Sequence, residues 1–481
     1  MNRKNLLNKI DIFDSKEISF RDYLGIFLFV FVIWGITVNF GLSFFGDSSI
    51  VYNESGKYIN ELGIGSLLGG KGTEEFRIGT SLSFSLNKIL APYQPFIFHL
   101  TNVLIHALSV CFILHILKLW EISRFKALIW AAIAASHPLM TNSIAWIPAR
   151  AELLLGLFFI IAFVFLIYYL KSRNLIYWIS SMIFQIFAFL SNDTGIVIPL
   201  VLLSYIILIN KKQIKKSLPF CISTVANYFI FYFINRYLDI HYSAVFHFKN
   251  AYIFDKIRIF PEMFLKVYFP FALSPMPVFD TLIISIGCLI FVLFLFLLWR
   301  NRDKAEIQFI SFGIIILFLG LLPFFITLKK NDGIDYFESL TYFPLFGILI
   351  VSVFLEKAEP WLNKNKYGLI FGLILGMIGS FSNVNTYSNP ETYFLKSLHH
   401  NPNSISINRK LADYYFSVNK FNKSLDLYEK LIEFEPENDE LISKCVYICN
   451  KISDSNRKTR ILFKVDSLIK AESEMIKSNY K

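Results

Sequence analysis

Charged side chains are scarce in this chain: Asp, Glu, Lys and Arg supply 17% of its 481 residues, against 55% hydrophobic residues. A soluble enzyme carries about a quarter charged residues, so a wholly water-facing globule is excluded. Cysteine is sparse too. Of the five, Cys111, Cys221 and Cys288 lie inside apolar runs, where a thiol behaves as a small hydrophobe, so a disulfide framework is excluded. Cys445 and Cys449 stand four apart on a predicted helix with no histidine nearby, a spacing that reads as packing rather than a metal pair. The glycine-rich stretch GIGSLLGGKG (63–72) lacks the Lys-Ser/Thr that would follow in a nucleotide loop. The net charge of +11 comes from basic residues scattered over loops, without the stripe that nucleic acid requires. No nucleic acid partner is expected.

What the chain has in abundance is long apolar runs. Eleven approach the roughly 20 residues that span a hydrocarbon core: 23–45, 96–117, 127–140, 152–170, 175–190, 195–210, 217–238, 281–299, 306–327, 339–355 and 367–381. The first is too long for a signal peptide and lacks a small-residue cleavage site, so it reads as an anchored helix. Segment 256–275 is apolar but carries Lys256, Arg258, Glu262 and Lys266, the pattern of an amphipathic helix along the interface. With the amino terminus inside, the cytoplasmic segments hold 20 Lys and Arg and the opposite ones 11 over about twice the length. That is the positive-inside bias. Loops 46–95 and 239–280 then fall outside, and so does the tail.

The tail changes character after residue 381. Its last hundred residues carry 15 basic and 13 acidic groups and no long apolar run. Pro402 and Pro436 are 34 residues apart, as are Phe394 and Tyr428, and Leu398 and Ile432. Between them Leu411, Ala412, Tyr415, Phe421, Ser424, Tyr428 and Pro436 stand at tetratricopeptide positions, with Ser424 where a packing alanine is usual. The reading is an all-α polytopic membrane protein with a membrane domain over 1–381 and a short helical repeat over 382–481.

Polar residues inside apolar runs are costly and usually face a cavity or a bundle interior. His99, Asn102 and His106 recur at helical spacing and share one face. His137-Pro138 and then Trp146-Ile147-Pro148-Ala149-Arg150 mark a turn between two further runs. No carboxylate accompanies these histidines at ligand spacing, so no metal is expected, and nothing calls for a cofactor.

Six elements then occur in a telling order. Asp47 follows the first run, then FRIGTSLSF (76–84), FHLTNVLIH (98–106), HPLMTNSIAWIPARAELL (137–154), NDTGIVIP (192–199) and FESLTYFPLFG (337–347), with the repeat last. In this order the chain resembles the multispan glycosyltransferases of the GT-C fold, in the branch of transmembrane, tetratricopeptide-repeat O-mannosyltransferases and their bacterial relatives. The family's second aspartate is Ser48 here, its Lys-Glu pair is Asn192-Asp193, and its acidic residue before the tryptophan is Asn142. The arginine it places after the acidic position is Ser339.

The resemblance implies a polyprenyl-phosphate sugar donor, inversion at the anomeric carbon and a hydroxyl acceptor on a protein or glycan. It makes Asp47 the general base, with Glu54 as fallback, against the plain reading of a solvated aspartate at a helix end. Arg77 and Arg150 become candidates for the lipid phosphate, against a snorkelling side chain or an Arg150–Glu152 pair. His99, Asn102, His106, His137 and Glu338 become candidates for substrate contact. The location implied is a bacterial cytoplasmic membrane, with the site and repeat on the outer face and the lipid bilayer as constant partner. The alternative is a non-catalytic membrane scaffold whose repeat holds a protein partner. A flippase would favour inverted internal repeats of spans, and none is visible.

Overall fold

The computed structural model describes residues 17–42, 47–52, 77–237, 257–270, 273–277, 279–327, 337–359, 362, 366–435, 438–451 and 456–463. Glu54, Pro436, the glycine-rich stretch 63–72 and much of loops 46–95 and 239–280 lie outside them. All regular structure among the described residues is helical. The chain divides into two compact units.

The first unit holds α1 (Phe20–Trp34), α2 (Asp47–Tyr52), α3 (Ile78–Leu90), α4 (Pro95–Leu119), α5 (Arg124–Ala135), α6 (Met140–Ala145), α7 (Arg150–Ser172) and α8 (Leu175–Ser191). It continues with α9 (Ile198–Ile209), α10 (Leu218–Tyr237), α11 (Ile259–Tyr268), α12 (Thr281–Arg300), α13 (Ile307–Thr327), α14 (Tyr342–Ala358) and α15 (Lys366–Val384). Among the described residues six helical stretches are long and apolar enough to cross a membrane: Phe20–Asn39, Pro95–Leu119, Ile147–Ser172, Thr281–Arg300, Glu338–Ala358 and Tyr367–Tyr387. Four shorter apolar helices accompany them, Leu175–Ser191, Asp193–Ile209, Leu218–Asn227 and Ile307–Leu322. The protein is an all-α polytopic membrane protein.

The run 127–140 is broken where the sequence marks a turn: α5 stops at Ala135, and His137-Pro138 leads into the short α6. The residue before a proline is disfavoured in the α region, so the break has a local cause. One expectation changes: within segment 256–275, Ile259–Tyr268 form helix α11, and its charges Glu262 and Lys266 are both buried, whereas Arg258 just before it is exposed and Lys256 lies outside the described residues. Lys266 Nζ lies 2.8 Å from Glu262 and 3.2 Å from Glu338, and sharing one ammonium between the two carboxylates offsets part of the cost of burying the three.

Packing is central around α7 and α14, most of whose residues are buried, whereas α12 and α15 sit at the periphery. Phe159 and Phe163 of α7 pack edge-on against Phe346 of α14, and Phe163 also meets Tyr205 and Phe312. The aromatic-rich composition thus fills the bundle interior, while apolar residues such as Leu289 and Phe371 remain on the outside, as a lipid-facing surface demands.

The second unit contains α16 (Pro390–His400), α17 (Ile405–Ser417), α18 (Phe421–Phe434) and α19 (Asp439–Cys449), consecutive helices that pack as neighbours. Ala412, Leu425, Tyr428, Ile432, Cys445 and Cys449 share one buried cluster, so both cysteines are packing residues. Ser424 is fully buried and its Oγ donates to the Ala412 carbonyl at 2.8 Å. That bond satisfies the hydroxyl where an alanine would have needed no partner.

Candidate functional site

A group of buried polar residues meets at one end of the bundle, where α4 and α7 begin and α8 ends. Arg150 opens α7 and is fully buried. Its Nε donates to Asn102 Oδ1 at 2.8 Å, Nη1 to Asn87 Oδ1 at 2.5 Å and to Ser83 Oγ at 3.4 Å, and Nη2 to the Phe98 carbonyl at 2.7 Å. The guanidinium lies 4.4 Å from the Phe84 ring centre, a cation–π contact. Arg150 therefore ties α3, α4 and α7 together. The Arg150–Glu152 pair does not form; Glu152 instead accepts from Asn192 Nδ2 at 2.7 Å.

Asn102 completes the same network, since its Nδ2 donates to the Ile144 and Trp146 carbonyls at 3.3 and 3.4 Å. One amide thereby reads the turn between α6 and α7 on one side and Arg150 on the other. Asn87, which sequence reasoning missed, also uses both ends: its Nδ2 donates to Thr101 Oγ1 at 2.8 Å. Its helix also carries Thr80, Ser81, Ser83, Ser85 and Lys88, so nothing in the sequence singled this amide out.

The three histidines are held in defined orientations. His99 Nε2 meets the Gly41 carbonyl at 3.1 Å, His106 Nε2 the Ala135 carbonyl at 3.2 Å, and His137 Nε2 the Val267 carbonyl at 2.9 Å. A carbonyl only accepts, so each Nε2 carries the proton. Nδ1 is then an acceptor, filled by Tyr342 OH at 3.0 Å in His106 and by the Leu139 N–H at 3.3 Å in His137. The Tyr342 ring reaches His106 across Gly156, where a Cβ would stand 2.5 Å from Tyr342 Cε1. Among the described residues no three His, Cys, Asp or Glu cluster as metal ligands.

Asp47 is the first residue of α2 and is fully buried, not solvated. Val51, one turn on, packs against Phe98 and Ile147, which brings this short helix to the Arg150 end. Arg77, just before α3, retains 24% side-chain exposure and lies 3.7 Å from Asp193. Glu338 is buried with Lys266 and Glu262, and the next residue, Ser339, accepts through its carbonyl from Ser143 Oγ at 3.4 Å. Asn142 donates to Tyr387 OH at 2.9 Å.

Beside His106 and His137 opens a cavity of about 460 Å³, walled by α5, α7, α14, the end of α11 and the face of α15 that carries Gly368, Gly372, Gly376 and Gly379. Most of its polar groups are bonded within the protein: His106 to Tyr342, His137 to Val267, Tyr268 to Ser352, and Ser136 to the Ala132 carbonyl, whereas Trp130 Nε1 has no partner among the described residues. A largely apolar occupant such as a hydrocarbon chain suits this lining.

No family model matches the chain. It is 33% identical over 108 residues to protein O-mannosyl-transferase TMTC3 of Mus musculus, covering 22% of this chain and 11% of that protein. Over 83 residues it is 37% identical to protein O-mannosyl-transferase TMTC1 of Mus musculus, covering 17% and 9%. Over 99 residues it is 33% identical to protein O-mannosyl-transferase tmtc2 of Xenopus laevis, covering 20% and 12%. The aligned stretch thus spans about a tenth of the length of these curated relatives.

Proposed function

We propose that this protein is a membrane glycosyltransferase of the GT-C type that moves a sugar, mannose by analogy with the relatives' names, from a polyprenyl-phosphate donor to a hydroxyl of a protein or glycan. The observation that carries this reading is a buried carboxylate, Asp47, on a helix packed against the bundle end where the part-exposed Arg77 and the Asn87–Asn102–Arg150 network also lie. Similarity to proteins named as O-mannosyl-transferases supports the reaction class.

In this reading Asp47 takes the proton from the acceptor hydroxyl as its oxygen attacks the anomeric carbon. The bond from that carbon to the phosphate oxygen breaks with inversion, and polyprenyl phosphate leaves. Arg77 neutralises the charge that develops on the phosphate, and the apolar cavity houses part of the lipid chain. Arg150 serves as framework, because its donors are engaged by Asn102, Asn87, Ser83 and Phe98. His99, His106, His137 and Glu338 shape the site around the donor. The charge bias supports a cytoplasmic amino terminus and an outer-face site and repeat in a bacterial cytoplasmic membrane, with the repeat available to guide acceptors.

The test is transfer of labelled sugar from a polyprenyl-phosphate donor by membranes containing the protein, compared with membranes lacking it. Donor consumption with release of polyprenyl phosphate supports the enzyme. A donor that is never consumed, with the protein inserted and its repeat retaining partners, would favour the scaffold instead.

A further inference from the structure

Arg77 and Asp193 face each other at 3.7 Å with 24% and 29% of their side chains exposed. Charge-assisted hydrogen bonds close to about 2.7–2.9 Å, so this is an ion pair without that bond. Part-exposed pairs of this kind are weak and readily exchanged.

The backbones on either side are held independently of the pair. Gly79 sits so close to the end of α8 that a Cβ there would stand 2.6 Å from Ser191 Oγ and 3.2 Å from the Leu190 carbonyl oxygen. Thr80 Oγ1 donates to the Ser191 carbonyl at 2.8 Å. Asn192, next to Asp193, gives its Nδ2 to Glu152 and accepts the Thr194 N–H at 2.8 Å. Close packing and other hydrogen bonds therefore fix the two chain segments, and the ion pair is not needed to join them. Arg150, the other arginine of this end, is fully buried, which leaves Arg77 as the part-exposed guanidinium of the two.

We propose that Asp193 is an exchangeable counter-ion of Arg77, holding its charge until the phosphate of a lipid donor takes the carboxylate's place. This rests on the glycosyltransferase reading and adds to it a residue that sets donor affinity. A phosphate diester presents two non-bridging oxygens to the planar fork of arginine, a better match than one carboxylate oxygen at 3.7 Å. The carboxylate therefore competes with the donor.

The experiment measures binding of radiolabelled polyprenyl monophosphate to the full-length protein in nanodiscs, with uncharged polyprenol as control. Wild type, Asp193→Asn, Asp193→Ser, Arg77→Gln and the double variant Arg77→Gln/Asp193→Asn are compared, with thermal midpoints recorded for each. Removing the competing carboxylate is expected to tighten binding about three- to tenfold in both Asp193 variants, and Arg77→Gln to weaken it about tenfold or more. In the Arg77→Gln background the Asp193 change should have no effect, because the two act as one unit. The donor KM of Asp193→Asn should fall accordingly. Unchanged or weaker binding in both Asp193 variants at wild-type thermal midpoints would overturn the proposal, as would equal tightening without Arg77. Wild type binding polyprenyl phosphate no better than polyprenol would overturn the glycosyltransferase reading itself, and this inference with it.

Discussion

Arg150 Nε donates to Asn102 Oδ1 over 2.8 Å, with both side chains fully buried. Two residues that each look like substrate ligands in the sequence satisfy one another. Arg150→Ala removes the donor from Asn102, Asn87 and the Phe98 carbonyl, at about 1–3 kcal/mol for each buried group left unsatisfied. The thermal midpoint in detergent should fall well below wild type. Arg150→Lys should recover little of it, since an ammonium lacks the planar fork that serves several partners at once. A wild-type midpoint combined with lost donor use would instead make Arg150 a donor ligand.

Asp47→Asn keeps the size of the side chain and removes the base. Sugar transfer is expected to fall by about two to four orders of magnitude, the range of general acid–base catalysis, while membrane insertion is retained. Glu54→Gln should be milder. Full activity of Asp47→Asn in the membrane assay would remove the proposed mechanism.

The cavity offers a variant that fills space without a clash. A Cβ at Gly372 meets nothing within 4 Å, and Gly372 lines the cavity wall. Gly372→Leu should fold normally and raise the donor KM by reducing room for a hydrocarbon chain, with the KM for a short-chain donor analogue less affected. Identical kinetics with long and short donors would argue that the lipid chain lies elsewhere.

In the repeat, Glu391 accepts from Lys420 Nζ at 2.7 Å, Lys423 Nζ at 3.1 Å and Tyr415 OH at 3.1 Å. Lys420 above all, then Lys423 and Tyr415, hold its carboxyl down to about 2. A carboxyl whose folded pKa is depressed contributes stability above its ordinary value, and that contribution is lost as pH falls towards the folded value. Amide protection in α16 and α17, relative to the intrinsic exchange rate at each pH, should therefore fall between about pH 4.5 and 2, and Glu391→Gln should flatten this dependence. High salt should blunt the effect in wild type, because the lysines are part-exposed.

Orientation is tested by reporter fusions. Those at Lys212 and Arg302 should score cytoplasmic and one at Asn438 external, from the charge bias of the loops. A cytoplasmic score at Asn438 would separate the repeat from an outer-face site.

The helical membrane class was legible in the sequence because lipid exposure and bundle burial both demand long apolar runs, and such runs can be read one residue at a time. Helical spacing likewise put His99, Asn102 and His106 on one face, and all three are buried in the bundle. Number and depth of spans were less legible. The run 127–140 looks continuous in hydropathy, yet His137-Pro138 breaks it, and a short α5 packs inside the bundle just as an apolar span would.

What each polar residue does was decided only by tertiary structure. Arg150 and Arg77 look alike in sequence, but one is enclosed by Asn102, Asn87, Ser83 and Phe98 and the other stays part-exposed opposite Asp193. The charges of α11 resembled a water-facing stripe and turned inward because Glu338, more than seventy residues away, shares Lys266. Local sequence specifies periodicity and cost of burial; the partner that meets that cost comes from a distant helix, and only packing brings it within hydrogen-bond reach.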